Sequence, residues 1–311
     1  MKEYLRILQN VLNGTPKQPT RMVNGVAENV ENGTIGTFCE VFRHNMSEGF
    51  PLLTTKKVSI KNIAVELEGF IKGVTSKKWY QDRGCHIWDA WCNPSKIPLG
   101  LTLEERKQFQ LKENDLGKLY GAQWRKFDEQ YGEIPTYINE LGWKETDFSL
   151  MNGVFEGFDQ LKYIADTLRT NPYDRRMVCS AWNPNQFNIM ALPPCHYSFN
   201  VVVYGNKLNL SVQMRSGDSL LGIPYNIASY ALLLLILAKH ANLESGELVL
   251  TINDCHLYNN HLDQAKLQLT REPYPLPTLE VLSDDIFEWD HTKIKLSNYQ
   301  FHPAIKAEVT I

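Results

Sequence analysis

Cys195 and His196 stand side by side after Pro193-Pro194. The stretch that follows, as far as Tyr230, carries Arg215-Ser216-Gly217-Asp218, then Gly222, Asn226 and Ser229. A cysteine attacks as the thiolate, so it needs a neighbouring cation to lower its pKa. Arg215 can be that cation if a hairpin folds it back. Tyr197–Val203 and Lys207–Met214 read as that hairpin, turning at Gly205-Asn206. A lone cysteine is more often a buried structural residue; the grouping with an anion-binding arginine and an amide is what points to a site. His196 faces away from Cys195 if both lie in a strand, so adjacency makes no Cys/His dyad. Arg175, Arg176 and Arg215 have the fork geometry to clamp a phosphate, although Arg175-Arg176 read equally well as a solvated pair. Asn226 both donates and accepts, and so can read an amide-like edge.

The whole chain gives this site an ordinary globular setting. It has 311 residues, 43% hydrophobic and 22% charged, with formal net charge -3. That length supports a large core. The charge offers no broad surface for DNA or an anionic membrane. Six scattered cysteines without a CxxC pair argue against a zinc site or a disulfide framework. The N-terminus is amphipathic and charged, unlike a signal peptide, and the longest apolar run, residues 231–238, is too short to span a bilayer. A cytoplasmic location is the expectation.

The elements that must hold the site follow from periodicity. Helices are predicted over 1–13, over 59–73 with a glycine cap, over 155–171 and over 227–241. Strands are predicted over 37–44, 175–182, 248–252, 278–282 and 293–296, and residues 14–36 read as a long loop. Glu66 and Glu68 lie two apart in the second helix and cannot share a face. Residues 76–91 gather Trp79, Tyr80, Trp88 and Trp91, for which core packing is the plain explanation. Residues 92–117 read as a surface insertion. The pattern predicts a single α+β domain, 1–311, with a large mixed sheet packed against helices.

Several long motifs, LPPCH, RSGDSLLGIPYNIASY, DCHLYNNH, YDRR, TTKK and HPAIKA, resemble the thymidylate synthase family over nearly the whole chain. The resemblance implies a homodimer formed through the sheet and one-carbon transfer from 5,10-methylenetetrahydrofolate to a pyrimidine nucleotide. It implies that Cys195 adds to C6 of the base and that Glu66 runs proton transfers through water. Arg215 and Ser216 match phosphate ligands, Arg175 and Arg176 a pair lent across the dimer interface, and Asn226 the base-reading amide. His256 and Tyr258 match ribose ligands. Asp218, Leu221, Gly222 and Tyr225 match folate contacts. Trp88, Trp91 and Tyr120 match residues around the folate and the reacting carbon, and Lys56 and Ile311 match parts that close over it. The catalytic residues that the resemblance implies are thus Cys195, Glu66, Tyr120, Trp88, Asp218 and Arg215.

The chain departs from the family pattern in four places. The N-terminal phosphate loop has no arginine in Glu31–Thr37, although Arg21 lies upstream. The pattern E-L-L-W becomes Glu66-Leu67-Glu68-Gly69, Q-R-S becomes Met214-Arg215-Ser216, and Tyr225 replaces a phenylalanine. The E-L-E and M-R-S forms resemble phage dCMP hydroxymethylases. A carboxylate and a glycine beside Glu66 could admit an ordered water, so the expected product is 5-hydroxymethyl. The methyl product with dihydrofolate is the alternative. Asn226 rather than aspartate suits a uracil edge, so dUMP is the expected substrate, with dCMP or CMP as the alternative. A non-catalytic binding protein and a cysteine hydrolase are the readings from other classes. The retained Cys195, Asn226 and Glu66 argue against the first, and no oxyanion-hole signature supports the second.

Overall fold

The computed structural model describes residues 1–23, 26–30, 32–91, 114–131, 154–155 and 157–309. Most of the expected insertion at 92–117, and Ile311, lie outside the described residues.

The fold is a mixed α+β domain organised by a six-stranded sheet in the order β1-β4-β10-β9-β8-β7. The strands are β1 (Thr15–Lys17), β4 (Thr34–Asn45), β7 (Val178–Ser180), β8 (His196–Tyr204), β9 (Lys207–Asp218) and β10 (Glu244–Tyr258). Three further antiparallel pairs stand apart: β2 (Thr20–Val23) with β3 (Val26–Asn29), β5 (Gln130–Tyr131) with β6 (Val154–Phe155), and β11 (Thr278–Val281) with β12 (Ile294–Ser297). The helices are α1 (Lys2–Leu12), α2 (Ile60–Lys72), α3 (Lys77–Gln81), α4 (Gly121–Arg125), α5 (Gln160–Thr170), α6 (Gly222–His240) and α7 (Leu262–Leu269).

The centre is the pair β9 and β10, which run parallel. Parallel neighbours need a long crossover, and α6 supplies it. By length and composition α6 could cross a membrane. Here it is buried along most of its length, Leu232–Leu234 included, as the core helix of the domain. Only part of its surface reaches solvent, and Leu221, Gly222, Tyr225 and Asn226 form one such strip at its start. β8 and β9 pair antiparallel as the hairpin predicted around Gly205, which adopts φ +59 with nothing within 4 Å of its Cβ position.

One sheet face is packed and the other open. Glu40, Phe42 and His44 of β4 point inward. Val41 pairs with Thr251 and Arg43 with Val249 on the opposite face, where Val41 and Val178 are exposed.

α2 follows its sequence closely. The Ser59 side chain caps its start by accepting from the Asn62 N–H, and Gly73 ends it in the left-handed conformation (φ 68). The stretch 14–36 is not one loop: it holds β1, the β2–β3 hairpin and the start of β4. These short strands carry little apolar alternation, and β1 is exposed throughout, so periodicity gives no warning of them. Arg21 belongs to β2. Strand β10 runs on through Asn253-Asp254-Cys255-His256 because its backbone stays paired with β4 and β9 even where its side chains turn polar.

Candidate active site

The proline pair before Cys195 does local work. Both carbonyls face the guanidinium of Arg215, whose Nη2 donates to Pro193 O (2.7 Å) and Nε to Pro194 O (3.1 Å). The Arg215 backbone N–H also donates to Cys195 O at 2.8 Å. Arg215 is thereby fixed with Nη2 3.5 Å from the Cys195 sulfur. Burial pushes the Cys195 thiol up, and the Arg215 charge and the Tyr120 hydroxyl pull it back. Cys195 is half-buried, and any solvent reaching the sulfur weakens the upward push.

Tyr120 closes the other side. Its hydroxyl accepts the Cys195 N–H at 2.9 Å, and its backbone sits at φ 29, ψ -92. That conformation is costly for a residue with a Cβ and is typical of functional sites. It holds because Gly121 packs directly on α2, where a Cβ would come within 2.6 Å of Phe70 Cα. The ring stacks on His196, centroids 4.0 Å apart. His196 faces inward, as strand alternation requires, and its Nδ1 meets Tyr230 Oη at 2.7 Å. Burial, aided by the Arg215 charge, drives its pKa down to about 3. It is therefore a neutral buttress under Tyr120 and no base for the thiol.

The strands beyond Cys195 align the polar groups. Ser216 on β9 lies 3.4 Å from His256 Nδ1 on β10, and the rings of His256 and Tyr258 meet edge to face at 5.3 Å. Asp218 ends β9, and its Oδ1 accepts the backbone N–H groups of Leu220 and Leu221 (2.8 and 3.2 Å), fixing the entry into α6. Lys56 is buried and donates to Leu220 O. Burial lowers its pKa to about 8, with Asp218 opposing that shift and Arg271 adding to it. Gly222 has only Asn226 Oδ1 and Asp218 Cβ near its Cβ position, both at 3.8 Å.

Glu66 lies buried on α2, and burial raises its pKa to about 7. The Trp88 indole faces it and softens the shift, although its buried Nε1 meets no partner in hydrogen-bonding geometry. Trp91 and Tyr225 are half-buried against the same core. Arg175 and Arg176 lie outside this cluster. Both are exposed, and Arg176 grips Asp174 through Nε (3.0 Å) and Nη2 (2.7 Å).

Two of the departures have defined surroundings. Glu68 does not open toward Glu66. One carboxylate oxygen takes Lys72 Nζ at 2.5 Å, and the other takes the His291 N–H (3.1 Å) and Nδ1 (2.6 Å). Met214 is buried in the core and pairs with His196, so it turns away from the side that Arg215 occupies.

A family model described as thymidylate synthase matches residues 2–311. The chain belongs to the thymidylate synthase family. It is also similar to a thymidylate synthase of Mycoplasma pneumoniae, 39% identical over 314 residues that cover 100% of both chains. A member of this family is a C1 transferase that moves a one-carbon unit from 5,10-methylenetetrahydrofolate to a pyrimidine nucleotide. Four residues with no role assigned from the sequence also shape the site: Pro193 and Pro194 through their carbonyls, Tyr230 through His196, and Tyr80 beside Gly69.

Proposed function

We propose that the chain methylates C5 of dUMP, releasing dihydrofolate, rather than making the hydroxymethyl product expected from Glu68-Gly69. The observation that carries this reading is the binding of both Glu68 oxygens, to Lys72 and to His291. That carboxylate is not free to polarise a water beside Glu66.

In this reading Cys195 bonds to C6 of the base, which makes C5 nucleophilic toward the one-carbon unit. Arg215 favours the thiolate and, with Ser216, Arg175 and Arg176, holds the phosphate. Asn226 presents its amide to the N3–H/O4 edge of uracil from the second turn of α6. His256 and Tyr258 hold the ribose. Glu66, with a pKa near the working pH, shuttles protons at the base. Folate, when bound, supplies the carbon and then a hydride. Cys195 leaves C6 as the C5–C6 double bond returns.

The folate residues fit such a ligand. Trp88 offers a buried ring beside Glu66, Lys56 a cation, and Leu221, Gly222 and Tyr225 a partly exposed strip beside Asp218. Trp91 and the tail ending at Ile311 would complete the cover. The open sheet face, with Val41 and Val178 exposed, is the surface through which two copies pair, each lending Arg175 and Arg176 to the other. The location we assign is cytoplasmic.

The test is incubation with dUMP and methylenetetrahydrofolate, with the product's mass and dihydrofolate absorbance as readouts. A hydroxymethyl product without dihydrofolate overturns the methyl reading. Turnover of dCMP or CMP but not dUMP overturns the base assignment.

A further inference from the structure

Gly69 follows Glu66 by one turn on the same face of α2, and it has no room for a side chain. A Cβ there would lie 2.3 Å from the Tyr80 hydroxyl, 2.4 Å from Cε1 and 2.5 Å from Cζ. Tyr80 is fully buried. Its hydroxyl donates to Val74 O at 3.2 Å, and the Val74 N–H donates to Gly69 O at 2.8 Å, so the ring is pinned at the end of α2. The same segment covers the turn before Glu66. The Cys85 thiol reaches Asn62 O at 3.7 Å, and the Cys85 N–H donates to Tyr80 O at 3.0 Å. The row Asn62, Glu66, Gly69 thus runs beneath Cys85, Trp88 and Tyr80.

We infer that Tyr80 is a positioning residue for Glu66: its ring fills the slot left by Gly69 and seals the inner side of that carboxyl against water. The pairing explains why a large residue of the resembled pattern is a glycine here. Its volume is supplied from α3 instead, so the wall is rebuilt rather than opened. Among the described residues, the groups that interact with Glu66 are Tyr80 and Cys85 on the covering turn, Trp88 after it, Tyr120 before α4, and Tyr225 and Tyr230 on α6. None of these is a cation, and burial is the leading cause that raises the carboxyl's pKa.

The inference rests on Glu66 as the proton-transferring carboxylate, and its test is made on the unliganded protein. The carboxyl band of Glu66, assigned with Glu66→Gln, is titrated by infrared difference spectroscopy in wild type, Tyr80→Phe and Tyr80→Ala. Tyr80→Leu substitutes for the alanine variant if that one does not fold. The wild-type midpoint is expected near 7, and Tyr80→Phe should keep it. The smaller side chain admits water and should lower it by about one unit or more. Gly69→Ala, which must displace the ring, should act in the same direction. An unchanged midpoint in the small-residue variant, or an equal fall in Tyr80→Phe, overturns the role of Tyr80. A wild-type pH–rate profile that ignores the Glu66 midpoint overturns the role of Glu66 instead.

Discussion

Arg215 Nη2 sits 3.5 Å from the Cys195 sulfur while the same guanidinium donates to the carbonyls of Pro193 and Pro194. Those acceptors hold the charge in place without neutralising it, since carbonyls carry no net charge. The arrangement gives the thiolate a counter-charge before any ligand binds.

Removing that charge should raise the thiol pKa. Arg215 opposes the upward push of burial on Cys195, so in Arg215→Ala the rate of Cys195 alkylation should take off at higher pH than in wild type. Iodoacetamide labelling against pH, with Cys195→Ala as the blank, measures the shift. An unmoved profile would mean that Arg215 serves the phosphate alone.

Glu68 should matter for stability and not for product. Glu68→Ala leaves Lys72 and His291 without their acceptor, at a cost of about 1–3 kcal/mol. The low end is the better guide, since Lys72 is 40% exposed. Lys72 and the two His291 donors hold the Glu68 pKa below the usual glutamate range against the push of burial. Its stabilisation is therefore complete above the ordinary glutamate pKa and lost as pH falls through the lowered value. Urea melts of wild type and variant should differ at pH 7 and converge in acid, with the product unchanged.

The same pair shows where the sequence could be read and where it could not. The β8–β9 hairpin, the caps of α2 and the inward turn of His196 all follow from local rules, and the structure has them. The start of α6 was hidden because Gly222 and Pro224 look like breakers. Pro224 is acceptable in the first turn, where its missing N–H has no partner to lose. Tyr225 and Asn226 thereby gain a rigid helical base. The partner of Glu68, His291, is 223 residues away, and the filler of Gly69 comes from another helix. No periodicity reports such contacts, and these are the ones that change the reading of the departures.

His196 should make the protein sensitive to acid. Burial and the Arg215 charge lower its folded pKa to about 3, against about 6.5 for an unperturbed histidine. The folded state then binds fewer protons than the unfolded chain between these values. Its contribution is whole above the upper value and is lost progressively as pH falls toward the lower one. Across that window the wild type should lose a few kcal/mol from this residue. His196→Gln should flatten the slope while lowering stability at pH 7, as read by denaturant titration at several pH values.

Tyr120 separates the chemistry of the site from its packing. Tyr120→Phe keeps the stack on His196 and the contact with Phe70, centroids 5.0 Å apart. It loses only the hydroxyl that accepts the Cys195 N–H. That N–H lies at the sulfur's own residue, and the same hydroxyl helps hold the thiol pKa down. The variant should fold with a melting temperature close to wild type, and its KM for the nucleotide should hold while kcat falls about 10- to 100-fold. A fall confined to KM would make Tyr120 a binding residue. No fall at all would leave the strained backbone at φ 29 as a product of packing between Gly121 and α2, with no catalytic use.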